Sequence, residues 1–320
     1  MPDSAAISNL DIGASFAPLA LLCGDPAGVG PDIIARWLDL AGENRVGVVP
    51  VGPPAWLDTL PVPGLAVGGS DYVLTPGSPD AAGQRVAWNV LEAGAAGCRS
   101  GAFSGVVTGP VNKAWLARVG FPFVGQTEFF ADRWGGDPVM AFAGGAMRVV
   151  LVTWHIPFAE VPISLNPTRL TRAVKAADRL ARDLCGTADS PRIGVCGLNP
   201  HAGENGLLGH DECERLDPWL DALRSDYPHL SRCQPADTVF RRHLQGEFDV
   251  VIALYHDQGL APLKTLEFEQ SVNITLGLQY VRTSPDHGTA YSLAPNRSAS
   301  LDSWDNAVRL ARLLCSKLKK

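Results

Sequence analysis

Short apolar runs alternate with stretches of helical periodicity along this chain. Leu19–Cys23, Val46–Val51, Gly105–Thr108, Val149–Val152, Ile193–Cys196 and Val250–Leu254 have strand length and are apolar almost throughout, as strands buried on both faces should be. Residues 170–184 place Leu170, Val174, Ala177, Leu180, Ala181 and Leu184 on one face at i, i+3, i+4 spacing, the mark of an amphipathic helix. Residues 79–97 and 302–318 read the same way. The alternation predicts an α/β fold with a mainly parallel sheet and helices on both faces. Pro and Gly cluster at 50–65 and 74–79, which read as loops. Strands of similar character near both ends predict two lobes, with the C-terminal segment completing the first. The expected division is 1–124 plus 280–320, and 125–279.

Composition narrows the function classes. Of 320 residues, 46% are hydrophobic and 19% charged, so a packed core is expected. A net charge of −6 without basic blocks argues against nucleic acid as the partner, yet leaves room for a small anionic ligand held by two or three local cations. No apolar run reaches the ~18 residues that span a membrane. The N-terminus has Asp3 and Asp11 where a leader would carry basic residues. Pro18–Cys23 therefore reads as a first buried strand after a loose tail. Seven cysteines without C-x-x-C spacing read as reduced thiols of a cytoplasmic protein.

Four polar, Gly- and Pro-rich segments carry the candidate chemistry. In a doubly wound sheet ligands sit beyond the carboxyl ends of strands. The first segment, Gly24-Asp25-Pro26-Ala27-Gly28-Val29-Gly30-Pro31, follows a strand and opens a helix. Its spacing is not the dinucleotide fingerprint, so it is either a tight turn or a ligand loop. The second runs from Thr108 to Lys113 and resumes at Gly125-Gln126-Thr127-Glu128. Lys113 follows a strand end, and Gln126 and Thr127 open a helix whose backbone N–H groups favour anions. The third comprises His155, His201 and His256, each just after an apolar run. Three imidazoles at three strand ends, with one open position, are a usual form of catalytic divalent-metal site. The fourth runs from Lys264 to Ala290 and includes Asn273 and Arg282. A lysine point charge and an arginine fork together suit a phosphate or carboxylate.

In this order, GDPAGVGP, TGPVNK, GQTEFF, GLNPHAGE, YHDQGLAPLK and VNITLGLQYVRTSPDHGTA resemble the 4-hydroxythreonine-4-phosphate dehydrogenase family from about Leu19 to about Ala294. The resemblance implies an isocitrate-dehydrogenase-like fold, with two α/β lobes around a central cleft. It implies a homodimer whose metal ligands, matching His155, His201 and His256, are shared between subunits. It also implies NAD or NADP, one divalent metal (zinc, magnesium or cobalt) and a small phosphorylated hydroxy-acid substrate. The substrate contacts match Thr127, Lys264, Asn273 and Arg282. Gln126 stands where the family usually has His, Asn205 where it often has Gly, and Pro295-Asn296-Arg297 where a Gly-rich turn is common. On this reading Asp257 and Lys113 are the candidates for proton handling. The cofactor-binding residues stay unassigned. The expected reaction is oxidation of 4-phosphooxy-L-threonine to 2-amino-3-oxo-4-phosphooxybutanoate, which decarboxylates to 3-amino-2-oxopropyl phosphate in pyridoxine 5'-phosphate synthesis. The alternatives are a catabolic paralogue acting on 4-phosphoerythronate or 4-phosphothreonate and, from another class, a phosphate acyltransferase-like protein.

Overall fold

All six apolar runs form strands. The structure, a computed structural model, describes residues 17–186 and 190–318; the expected loose tail lies outside them. The strands are β1 (Leu19–Leu22), β2 (Val48–Gly52), β3 (Leu65–Ala66), β4 (Gly105–Thr108), β5 (Gly136–Ala143), β6 (Arg148–Leu151), β7 (Ile193–Cys196), β8 (Leu230–Gln234), β9 (Val250–Ala253), β10 (Val272–Leu278) and β11 (Val281–Pro285). The α-helices of six or more residues are α1 (Gly30–Leu40), α2 (Ala81–Arg99), α3 (Lys113–Arg118), α4 (Gln126–Trp134), α5 (Pro167–Cys185), α6 (Ala236–Leu244), α7 (His256–Glu267) and α8 (Asp302–Leu318). Among the described residues no helix is long and apolar enough to cross a membrane.

The helices begin and end where their sequences say they should. In α5, Asn166 caps the first turn by accepting from the Arg169 N–H at 3.0 Å, Pro167 sits at the first position, and Gly186 closes the helix in the left-handed conformation with φ 65°. Its buried face carries Leu170, Val174, Ala177, Leu180 and Ala181, as the periodicity predicts. Each fully buried Leu or Val contributes about 1.5–3 kcal/mol, so packing outweighs the ~1 kcal/mol that the cap supplies.

The chain divides into two compact units, Met1–Pro138 with Leu278–Lys320, and Val139–Gly277. The C-terminal segment groups with the first stretch of chain, and the first division falls at 138/139. Helix α4 lies in the first unit. Arg133 donates to both carboxylate oxygens of Glu92 on α2, and the Trp134 indole N–H donates to the Ala95 carbonyl at 3.1 Å. Side-chain anchoring of this kind leaves no mark in local hydrophobic patterning.

In the first unit the strand order is β3-β2-β1-β4-β11, and the pairs β1–β2, β1–β4, β4–β11 and β2–β3 are parallel. In the second it is β10-β5-β6-β9-β7-β8. There β6–β9, β9–β7 and β7–β8 are parallel, whereas β5 and β6 form an antiparallel pair with Phe142 opposite Val149. The second unit's core sets Met140, Phe142, Val149, Leu151 and Val251 from the sheet against Val239, Phe240, Leu260 and Leu263. Parallel neighbours end on the same edge, so the loops leaving β6, β9 and β7 start side by side.

Candidate active-site residues

In the first unit, the loops after β1, β4 and β11 interlock through backbone. The Asp25 N–H donates to the Pro110 carbonyl and the Val29 N–H to the Thr289 carbonyl, both at 2.9 Å. A Cβ on Gly24 (φ +72°) would lie 2.5 Å from the Pro110 oxygen, and one on Gly30 only 2.1 Å from the Cys23 oxygen. Close backbone packing alone therefore explains the glycines of the first motif. Asp25 is fully buried and acts as a staple. Its Oδ1 accepts from the Ala27 N–H at 3.0 Å, and its Oδ2 accepts from Gln84 Nε2 at 2.7 Å and from the Tyr291 hydroxyl at 2.6 Å. Burial, followed by the Asp25 hydrogen bond, raises the Tyr291 hydroxyl well above its ordinary range.

Beside this staple lies an arginine-centred cluster. Arg282 on β11 is 5% exposed. Its Nε and Nη2 donate to Thr108 Oγ1 at 3.2 and 3.0 Å, and Nη2 also donates to Gln126 Oε1 at 3.0 Å. Gln126 in turn donates from Nε2 to the Gly109 carbonyl at 3.1 Å. The register puts Arg282 opposite Val106, two residues before Thr108. Burial pushes the guanidinium down to about 10, and the negative charge of Glu128 opposes that shift; it stays cationic at neutral pH. Thr127 is buried in the first turn of α4. Lys113 is exposed at the start of α3, and a Cβ on Gly125 would lie 3.6 Å from its Nζ. Lys113, Gln126, Thr127 and Arg282 are thus brought together, around a helix N-terminus that favours anions.

In the second unit, two of the three histidines meet. Thr153 Oγ1 donates to the Leu254 carbonyl at 2.7 Å, and the Val152 and Thr153 N–H groups donate to the Ala253 and Leu254 carbonyls, which zips the ends of β6 and β9 together. The following loops bring the His155 and His256 rings to a centroid separation of 5.7 Å. They line a cavity of ≈ 210 Å³ with Trp154, Phe158, Tyr255 and Asp257. His256 Nδ1 lies 2.7 Å from Asp257 Oδ1. Asp257 therefore orients this ring and leaves Nε2 as the lone-pair donor. His155 sits at φ 50°, an uncommon conformation for a residue with a side chain.

His201 does not join them. Gln258 ties the end of β9 to the end of β7, because its Oε1 accepts from the Leu254 N–H and its Nε2 donates to the Gly197 carbonyl, both at 2.7 Å. The chain after β7 then winds into a left-handed turn. His201, Ala202, Gly203, Glu204 and Asn205 have φ values of 52°, 52°, 78°, 44° and 54°, a conformation that costs about 1–2 kcal/mol per residue with a side chain. His201 ends exposed and does not line the His155–His256 cavity. Among the described residues, no three His, Cys, Asp or Glu side chains cluster as a metal site. Within one protomer two of the three strand-end histidines thus lie together, and His201 stands apart on the left-handed turn. Lys264 and Asn273 also belong to the second unit, with Lys264 Nζ 5.8 Å from the centroid of the Phe268 ring.

Two contributors escaped sequence reading. Thr108 opened the second candidate segment without a role of its own, yet it accepts two of the Arg282 bonds. Glu212 carried no motif signal. It is 2% exposed, and its carboxylate accepts from the Leu198 and Asn199 N–H groups at 2.8 and 2.7 Å.

Residues 46–311 match the family described as pyridoxal phosphate biosynthetic protein PdxA. The chain is 39% identical over 322 residues to a 4-hydroxythreonine-4-phosphate dehydrogenase of Paracoccus denitrificans, covering 94% of this chain and 98% of the relative. It is 40% identical over 306 residues to one of Zymomonas mobilis, covering 88% and 91%. Its fold matches a crystal structure of 4-hydroxythreonine-4-phosphate dehydrogenase from Klebsiella pneumoniae with a TM-score of 0.81 at 31% identity, over 93% of this chain and 99% of that one.

Proposed function

The chain belongs to the pyridoxal phosphate biosynthetic protein PdxA family, and from that premise we propose that it oxidises 4-phosphooxy-L-threonine with NAD or NADP. The product, 2-amino-3-oxo-4-phosphooxybutanoate, is a β-keto acid and loses carbon dioxide to give 3-amino-2-oxopropyl phosphate. The observation that carries this reading is the buried Arg282 guanidinium, fixed by Thr108 and Gln126 beside the start of α4. An arginine fork held in place before ligand arrives recognises a phosphate at small entropic cost. Thr127 and Lys113 add a hydroxyl and an ammonium to the same set, and Lys264 and Asn273 are assigned as further substrate contacts.

Two imidazoles with a shared cavity suit a divalent cation such as zinc or cobalt better than magnesium, which prefers oxygen ligands, and His256 is already oriented by Asp257. A third ligand from His201 of a second copy in a homodimer completes the set. Leu207, six residues after His201 and 79% exposed, and Phe158, which lines the His155 cavity and is 68% exposed, support such a contact. The cation would supply Lewis-acid polarisation of the substrate oxygen. Asp257 works by holding a ring nitrogen, and Lys113 serves anion binding in the first place; both remain in position to exchange protons with solvent. A cytoplasmic enzyme fits a soluble substrate and nicotinamide supply.

Gln126 favours a second reading. Its amide gives one bond to Arg282 and one to Gly109, and it brings no charge to the phosphate, so a catabolic substrate such as 4-phosphoerythronate or 4-phosphothreonate also fits. The test follows reduced-nicotinamide absorbance with 4-phosphooxy-L-threonine, NAD and a divalent metal, with and without chelator. Chelator-sensitive turnover is the expected result. Turnover only with the phosphorylated sugar acids moves the protein to the catabolic reading, and no oxidation of any of them removes the dehydrogenase reading.

A further inference from the structure

A buried carboxylate sits inside the turn that presents His201. Glu212 opens a single π-helical turn, Glu212–Leu216, the kind of irregularity that recurs at functional sites. Its side chain is 2% exposed. Oε1 accepts from the Leu198 and Asn199 N–H groups at 2.8 and 2.7 Å, and Oε2 accepts from Asn199 Nδ2 at 2.9 Å. Asn199 Nδ2 also donates to Asp211 Oδ2 at 3.1 Å. Gly203, at the centre of the left-handed run, faces the same carboxylate, since a Cβ there would lie 2.7 Å from Glu212 Oε2. A Cβ on Gly197 would meet the Ala202 Cα at 2.8 Å. The carboxylate therefore holds the entry to the turn by hydrogen bonds and packs against its centre at Gly203, in a turn that has little reason to form alone, because five successive left-handed residues strain the chain. A buried carboxylate is costly without donors, and here all three named donors come from the two residues that lead into Pro200 and His201.

We propose that Glu212 is the positioning residue of His201, fixing through the left-handed turn the direction in which that imidazole is offered to a divalent cation. The proposal rests on the metal reading of His201 given above. Glu212 touches neither substrate nor cation on this account. It sets the backbone from which the ligand projects, much as outer hydrogen bonds orient ligands elsewhere. A neutral amide cannot replace it, because one of its two polar ends is a donor and would face a donor.

The test measures zinc affinity by titration calorimetry on the full chain, first freed of metal by chelation, with far-UV circular dichroism and the thermal midpoint recorded on the same samples. Glu212→Gln is expected to weaken zinc binding about 10–100-fold while the folded signal persists, and His201→Ala is expected to weaken it at least as much. Undiminished affinity in Glu212→Gln beside a large loss in His201→Ala overturns the positioning role and leaves the metal reading standing. Undiminished affinity in both variants overturns the metal reading and the proposal with it. A lower thermal midpoint with full affinity marks Glu212 as merely structural and also overturns it. Should Glu212→Gln fail to fold, Asn199→Ala decides. It removes one of the three donors and keeps the buried charge, so a roughly 3–10-fold loss of affinity is expected, and no loss overturns the proposal.

Discussion

The Arg282 cluster and the His201 turn hold their polar groups in opposite ways. Arg282 is buried and is held directly, with hydrogen bonds from its own guanidinium to Thr108 and Gln126. His201 is exposed and is held indirectly, through a backbone wound into the left-handed region and gripped by Glu212. A buried charge can be fixed by its neighbours inside the fold. An exposed side chain has no such packing, so its placement rests on its backbone. Direct holding should fail abruptly when the side chain changes, whereas indirect holding should fail through residues that never touch the ligand.

The largest expected effect breaks the direct arm. Arg282→Lys keeps the charge but loses the fork, two bonds to Thr108 and one to Gln126. The loss of one or two charge-assisted bonds from the fork to the phosphate, worth about 1.5–3 kcal/mol each, should lower kcat/KM about 10–10⁴-fold, mostly through KM. An unchanged KM would mean that the fork does not meet the phosphate.

A smaller effect sharpens the same arm. Gln126→His removes an amide that accepts from Arg282 and donates to Gly109. An imidazole cannot do both while it carries a positive charge. The variant's KM for a phosphorylated substrate should become pH-dependent between about pH 6 and 7.5, tighter on the acidic side, where the wild type shows only the titration of the phosphate. Parallel profiles for the two proteins would place Gln126 away from the anion.

The smallest effect concerns a histidine outside either arm. His243 is buried between the Arg148 N–H, which it accepts at 3.1 Å through Nε2, and the Phe248 carbonyl, 2.7 Å from Nδ1. Burial lowers its pKa below the ordinary 6.5. Above that value both folded and unfolded states are neutral and the stability is complete. As pH falls below it the unfolded chain binds the proton first, and stability declines until the folded pKa is reached, by at most about 1.4 kcal/mol per pH unit. Thermal midpoints at pH 7.5 and 5.5 should therefore drop less in His243→Gln than in the wild type. An equal drop would assign the acid sensitivity to other groups.

What was legible in the sequence follows from where burial is apolar. The six both-face-buried runs and three long helices read directly, because their periodicity states their environment. Strand β11 did not read as a strand, although all of Val281–Pro285 is buried. Two of its polar members are buried with partners elsewhere, Arg282 with Thr108 and Thr283 Oγ1 with the Ala307 carbonyl at 2.9 Å. Strand β10 mixes buried residues with half-buried and exposed ones and was read as a polar ligand segment. Among the candidate residues, His155, Lys113 and Arg282 stood out in the sequence by type and place. The bend that carries His201 away, and the Glu212 that shapes it, depend on contacts formed only after folding.

The pairing of β11 with β4 has a consequence for synthesis on the ribosome. Residues 139–277 are contiguous, so the second unit has all of its chain as soon as that stretch emerges. The first unit must wait, because Val281 pairs with Gly105 and Asp302–Leu318 follows later still. Until the last part of the chain is released, β4 presents an apolar edge, Gly105–Thr108, without its β11 neighbour. Such an edge recruits other strands, so the nascent protein is most exposed to misassembly in the interval between making its middle and making its end.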